Sequence, residues 1–211
     1  MENSRSDLLG EVADYYSTKL AIHGESPGGV DWNGEDGQNL RFAQLSKVIN
    51  FDQAFTINDL GCGYGALFDY LKGKGARFQY LGVDVSADMI QAASLRYQDT
   101  SEASFECAHE PSKVADFSVA SGIFNVRLQR NDDEWLDYMK AMIDVLDKSS
   151  ARGFAFNCLT SYSDADKMRP YLYYANPQAL FDLCKTKYSR NVALLHDYDL
   201  YEFTIIVRKS P

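Results

Sequence analysis

No run of apolar residues in the chain approaches the roughly 18 needed to cross a bilayer, and the opening MENSRSDLLGEVADYY lacks the unbroken apolar core of a secretory leader. The cytoplasm is therefore the expected location, with no membrane partner. Cysteine is scarce: Cys62, Cys107, Cys158 and Cys184 stand far apart with no C-x-x-C pair. Zinc clusters need close spacing, so four buried thiols and no metal are expected. Glycine and proline number only 14 and 5, which excludes fibrous and low-complexity classes. Positive charge is in deficit, 21 Lys and Arg against 30 Asp and Glu, for a net −9. That balance disfavours a broad basic face, and so nucleic acid, and equally disfavours an anionic membrane surface. The acidic runs NDDE (131–134) and DAD (164–166) match no calcium-loop spacing and read as solvated helix starts.

What remains is an ordinary globular composition, 45% apolar over 211 residues, with 14 Tyr and 12 Phe that suggest a lined pocket. A chain of this size buries about 70% of its unfolded surface and needs no staple. Residues 6–22 read as a helix with a stripe at Leu8, Val12, Tyr15, Tyr16 and Leu20. A Gly/Asp-rich connection, 23–37, follows, of the kind used as a lid, and a second helix is expected at 38–50. Strands are expected at 55–60, 78–83, 103–107, 115–120, 152–159, 190–196 and 202–208. Helices fit at 65–73, 86–97, 132–148 and 176–187, with Ser86 and Asn176 as caps. Alternating strands and helices describe a doubly wound α/β fold with a mostly parallel seven-stranded sheet. The last two strands are separated only by DYDLY, too short for a parallel crossover, so they should form an antiparallel hairpin. Residues 1–50 are expected to form an N-terminal helical lid and residues 51–211 the sheet domain, as a monomer or homodimer.

The stretch DLGCGYG, from Asp59 to Gly65, falls between the first strand and its helix. Glycines there let a ligand approach the backbone closely. Asp84 ends the second strand, where an open sheet binds ligands and where an acid can accept from ribose hydroxyls. No G-K-[ST] follows the loop, which removes a phosphate-cradling P-loop. G-C-G-Y-G departs from the dinucleotide pattern, and an acid two residues before its first glycine suits an ammonium better than a pyrophosphate. A ligand with a ribose, an adenine and a zwitterionic amino-acid tail satisfies all three features, and S-adenosylmethionine is such a ligand.

On these residues the chain resembles the class I S-adenosylmethionine-dependent methyltransferases over about residues 38–208. Their first motif, (D/E)-x-G-x-G-x-G, is matched by Asp59, Gly61, Gly63 and Gly65. The resemblance implies that Gly61, Cys62 and Gly63 pass under the methionine moiety of the cofactor and that Asp84 holds its ribose. It also implies that Val85 and Met89 flank the adenine, that Ala108 and His109 lie near the adenine amine, and that Ser121 and Phe124 belong to the cofactor and substrate rim. Arg41 is a candidate for the cofactor carboxylate, since its fork binds such groups bidentately.

Methyl transfer from a sulfonium needs alignment of the acceptor, and a base only where the acceptor proton does not leave readily. His23, at the mouth of the lid, is the foremost candidate base, and His196, beside Asp197 and Tyr198, the second. Trp32, Phe124, Asn125, Arg127, Tyr171 and Tyr174 are the candidate substrate contacts. The expected reaction is methyl transfer to an oxygen, less readily a nitrogen, of a small or medium polar metabolite. A protein or RNA methyltransferase and a non-enzymatic cofactor-binding module stand as alternatives.

Overall fold

The computed structural model describes residues 2–210, with side chains from Asp7 onward; Met1 and Pro211, the outer ends of the two expected units, lie outside it. The first helix, α1 (Glu2–His23), leads through a short 3-10 turn at Pro27–Val30 into α2 (Glu35–Leu45). There follow β1 (Phe55–Leu60), α3 (Ala66–Gly73), β2 (Phe78–Asp84), α4 (Ala87–Arg96), β3 (Ala103–Cys107) and β4 (Ala115–Ala120). The chain then forms α5 (Asp132–Lys148), β5 (Ser150–Leu159), α6 (Pro177–Lys187), β6 (Asn191–Leu195) and β7 (Glu202–Arg208).

The seven strands form one sheet in the order β3-β2-β1-β4-β5-β7-β6. All neighbours are parallel except β7, which runs antiparallel between β5 and β6. The expected fold and closing hairpin are thus present. The strand order reverses between β1 and β4, and a crevice opens at such a switch point beyond the C-terminal strand ends.

Local chemistry explains the helix starts. Ser86 Oγ accepts from Met89 N at 3.2 Å, and Asn176 Oδ1 accepts from the amides of Gln178 and Ala179 at 2.9 and 3.1 Å. Helix α2 begins three residues earlier than the expected 38. Glu35 and Asp36 sit in its first turn, where carboxylates oppose the helix dipole, and that outweighs the glycine content of GEDG. Helix α2 gives way to a 3-10 turn at Ser46–Val48 instead of reaching 50.

Two apolar layers flank the sheet. One joins Phe124, Trp135, Met139 and Ile143 to Phe154, Phe156 and Phe203, and takes in Leu8 of α1; the other joins Phe42 and Leu45 of α2 to Ile57, Phe68, Leu71 and Tyr80. The helices before residue 50 therefore contribute to both layers. Cys62, Cys158 and Cys184 are buried as expected, but Cys107 is exposed: it ends the edge strand β3, with no neighbouring strand on its far side. Among the described residues no helix is long and apolar enough to cross a membrane.

Trp135 is enclosed in the first layer, and its indole N–H donates to Phe124 O at 2.8 Å. Trp135→Ala should destabilise the protein by about 3–5 kcal/mol, the range for emptying a large aromatic site. Urea unfolding at equilibrium checks this.

Candidate active site

Turning from β1 into α3 requires the chain to adopt positive φ at Gly61 (+70°) and Gly63 (+54°). Both glycines are also closely approached. A Cβ on Gly61 would lie 2.1 Å from Ile123 Cγ2, and one on Gly63 would lie 2.8 Å from Val30 Cγ1. The Gly61 and Cys62 amides donate to Val83 O at 2.8 and 3.1 Å, which ties the loop to the end of β2. Cys62 lines the cleft, and its sulfur packs against Gly82, where an added Cβ would come within 2.8 Å of it. Burial pushes this thiol well above its ordinary range, so it is no nucleophile at neutral pH.

Two carboxylates border the loop. Asp84 accepts from Gly63 N on one oxygen and from Ser86 N on the other, each at 2.9 Å. Burial raises its pKa, and those N–H groups oppose the rise. Asp59 lies beneath the loop and accepts from the Tyr80 hydroxyl at 2.7 Å. Burial is the largest influence on it and pushes its carboxyl up to about 7, against the lowering effect of the Tyr80 bond. Ser121 at the end of β4 lines the same cleft with a buried hydroxyl that has no partner among the described residues.

Around this centre the cleft is walled by Val85, Met89, Ala108 and His109 at the ends of β2 and β3. Leu9, Val12 and Tyr16 of α1 line it as well, as do Tyr138 and Met142 of α5. Trp32 closes it over Gly122, where an added Cβ would come within 2.4 Å of the indole. Helix α1 is pinned to this cover because Tyr15 and Lys19 both donate to Asp31, each at 2.6 Å. Ser17 and Ser86 hydroxyls, 2.9 Å apart, join α1 to the start of α4.

The structure thus brings Asp59, Gly61, Cys62, Gly63, Asp84, Val85, Met89, Ala108, His109, Ser121 and Trp32 to one cleft. The other sequence candidates are placed elsewhere. His23, at the last turn of α1, is exposed, and its ring lies against Gly28 rather than in the cleft. His196 is exposed beyond β6, with its ring near Tyr162 and Phe203, centroids 5.9 and 6.1 Å away.

Arg41 also needs correction. Its guanidinium binds Glu202, which is 1% exposed, and stacks 3.8 Å over the Trp32 ring. Glu202 also accepts from Asn157 Nδ2 at 2.8 Å, and Asn157 Oδ1 accepts from Gly122 N at 2.9 Å. Arg41 is therefore neutralised inside a buried network that holds Trp32 and Gly122, and it is not free for a carboxylate ligand.

Phe124 is wholly enclosed in the core, edge-on to Phe156. Asn125 spends its Oδ1 on Leu159 N, and Arg127 donates to the carbonyls of Leu172, Arg130 and Pro170. These two side chains clamp a turn. Tyr171 accepts from Arg127 N and Leu128 N through its carbonyl, and the Tyr174 hydroxyl accepts from Arg169 N. Conversely, Tyr16, Tyr138 and Met142 line the cleft without having been singled out as site residues. The α1 stripe did contain Val12 and Tyr16, and Tyr138 and Met142 stand four apart on one face of α5, but such spacing does not separate a cleft wall from a core.

Comparison with known proteins agrees with this geometry. A family model described as "Methyltransferase domain" matches residues 57–149, from β1 through α5. The Mycobacterium tuberculosis (strain ATCC 25618 / H37Rv) protein named "Putative methyltransferase Rv1506c" is 59% identical over 164 residues, 78% of this chain and 99% of that one. The chain belongs to the class I S-adenosylmethionine-dependent methyltransferases. Among solved structures, this methyltransferase superposes on the DhpI complex with S-adenosylhomocysteine at a TM-score of 0.67 and 14% identity, covering 97% of this chain and 98% of DhpI. It also superposes on the N-methyltransferase NodS of Bradyrhizobium japonicum WM9, in complex with the same compound, at 0.66 and 16%, covering 94% and 98%. At these identities the likeness is one of fold.

Removing Arg41 would leave the Glu202 carboxylate buried without its cation. Arg41→Ala should therefore cost about 3 kcal/mol or more of stability and change the emission of Trp32, while Trp135 stays enclosed. Denaturant unfolding and tryptophan fluorescence measure the two effects.

Proposed function

We propose that this methyltransferase moves a methyl group from S-adenosylmethionine to an oxygen of a small molecule enclosed between α1, α5 and the 121–123 turn. The observation that carries the reading is the α1 cover, pinned through Asp31 and Ser86 across a cleft that, among the described residues, no Lys or Arg lines. A nucleic acid needs cations along an open track, and a protein segment needs an open groove.

The residues present fit the cofactor. Ser121 offers a buried hydroxyl that lacks a partner among the described residues, and the loop has no room for side chains at Gly61 and Gly63. Asp84 keeps an acceptor site on each oxygen beyond the amide it already binds, enough for two ribose hydroxyls. Asp59 would face the amino end of the methionine tail, and Val85, Met89 and Ala108, which line the cleft, would enclose the adenine beside His109. The cofactor supplies an electrophilic methyl carbon on a positively charged sulfur. Transfer would need the acceptor oxygen held in line with the carbon–sulfur bond, whose electron pair would stay on sulfur. The acceptor's hydroxyl proton passes to water. The chain's own contribution is to align the two reactants and exclude bulk solvent, for which α1 and Trp32 form the cover.

Asp59 gives this reading a pH dependence. With its pKa near 7 in the free protein, binding an ammonium below that pH must first displace a proton. Affinity for S-adenosylhomocysteine should therefore rise with pH from 5.5 to about 7, by up to about tenfold per unit, and then level off. Asp59→Asn should flatten this profile. Calorimetric titrations across that range test both expectations, and a wild-type profile that is flat or falls with pH would refute the role of Asp59.

A further inference from the structure

The part of the cleft beyond the glycine loop is built by α1, α5 and Ile123. It presents Leu9, Val12, Ile123 and Met142 together with the rings of Tyr16 and Tyr138. No cation lines it. The charges nearest its cover are already matched: Asp31 takes Lys19 and the Tyr15 hydroxyl, and Glu202 takes Arg41. Asp59 and Asp84 lie on the glycine-loop side and are engaged by Tyr80 and by the Gly63 and Ser86 amides. An anionic acceptor would lose its hydration there with nothing to pair with it, and a cationic one would face the sulfonium. A polyhydroxylated acceptor would lose several hydrogen bonds to water against aliphatic walls and find few in return.

Tyr16 is the exception in that wall. Its ring packs edge-on to Tyr15, with centroids 5.2 Å apart, and its hydroxyl has no hydrogen-bond partner among the described residues. Burial, with further contributions from Asp31, Tyr15, Asp84 and Tyr138, raises its pKa far above neutrality. The phenol therefore stays protonated, able to hold an oxygen in place but not to act as a base.

We infer that the acceptor is an uncharged, largely apolar, ring-bearing molecule presenting one hydroxyl, such as a phenol, and that Tyr16 orients this hydroxyl. The inference rests on the methyl-transfer reading above and replaces the expectation of a polar metabolite with a specific class. A lining of four aliphatic side chains and two phenols suits one hydroxyl on an apolar ring.

The test is calorimetric titration of the full-length protein, saturated with S-adenosylhomocysteine, with four probes: 2-naphthol, 2-naphthoate, 2-naphthylmethylammonium and methyl α-glucopyranoside. 2-Naphthol should bind at least tenfold more tightly than any of the other three, and Tyr16→Phe should weaken it about fivefold, the loss of one neutral hydrogen bond. Preferential binding of a charged probe or the glycoside, or no binding of 2-naphthol, overturns the acceptor class. An unchanged 2-naphthol affinity in Tyr16→Phe overturns the role of Tyr16. Failure of the wild type to bind S-adenosylhomocysteine at all instead removes the underlying methyl-transfer reading, so the two failures are distinct.

Discussion

The Asp84 carboxylate accepts from the Gly63 amide on one oxygen and the Ser86 amide on the other, and so fixes the glycine loop after β1 to the start of α4 after β2. These two connections flank the crevice of the sheet, and their relative position decides whether a ligand can lie across both. Hydrogen bonds from two backbone amides favour the ionised form against burial, so the carboxylate is held in place before any ligand arrives. The Ser86 hydroxyl extends the arrangement by capping α4 at Met89 and meeting Ser17 of α1. The floor of the cleft, its wall at the end of β2 and its helical cover thus share one anchoring region.

A second network governs the opposite rim. Glu202, at the start of the antiparallel β7, reaches Arg41 on α2 and Asn157 on β5. Asn157 in turn fixes Gly122, and Arg41 stacks on the Trp32 that covers Gly122. The placement of β7 between β5 and β6 gives Glu202 this reach, because it faces the C-terminal end of β5, with Leu159 as its register partner. Polar groups that are buried but mutually satisfied define a single arrangement of the rim, whereas an unpaired one would carry a large desolvation cost.

Much of this architecture was legible in the sequence because its determinants are local. The seven strands, the closing hairpin, the caps at Ser86 and Asn176, and the spacing from Asp59 through Gly63 to Asp84 all follow from neighbouring residues. The wall of the cleft beyond the glycine loop was not legible. Arg41 looks like a free ligand for a carboxylate until Glu202, 161 residues later, is brought beside it. Asn125 and Arg127 stand where a rim is expected, yet their side chains are spent on Leu159, Leu172 and Pro170. His23 was singled out by its place at the mouth of the expected lid and His196 by its neighbours Asp197 and Tyr198, and both lie exposed outside the cleft. Tyr16 and Met142 had the periodicity of core residues, and only the packing of α1 and α5 about the switch point turns that periodicity into a cleft wall.

The central claim is that Asp84 both organises the cleft and holds the cofactor ribose. Asp84→Asn keeps the size of the side chain but replaces one acceptor oxygen by a donor and removes the charge. S-adenosylhomocysteine titrated calorimetrically into this variant should bind about 100-fold more weakly than to the wild type, in keeping with the loss of charge-assisted hydrogen bonds, while circular dichroism confirms the native fold. An unchanged affinity in the folded variant would contradict the account.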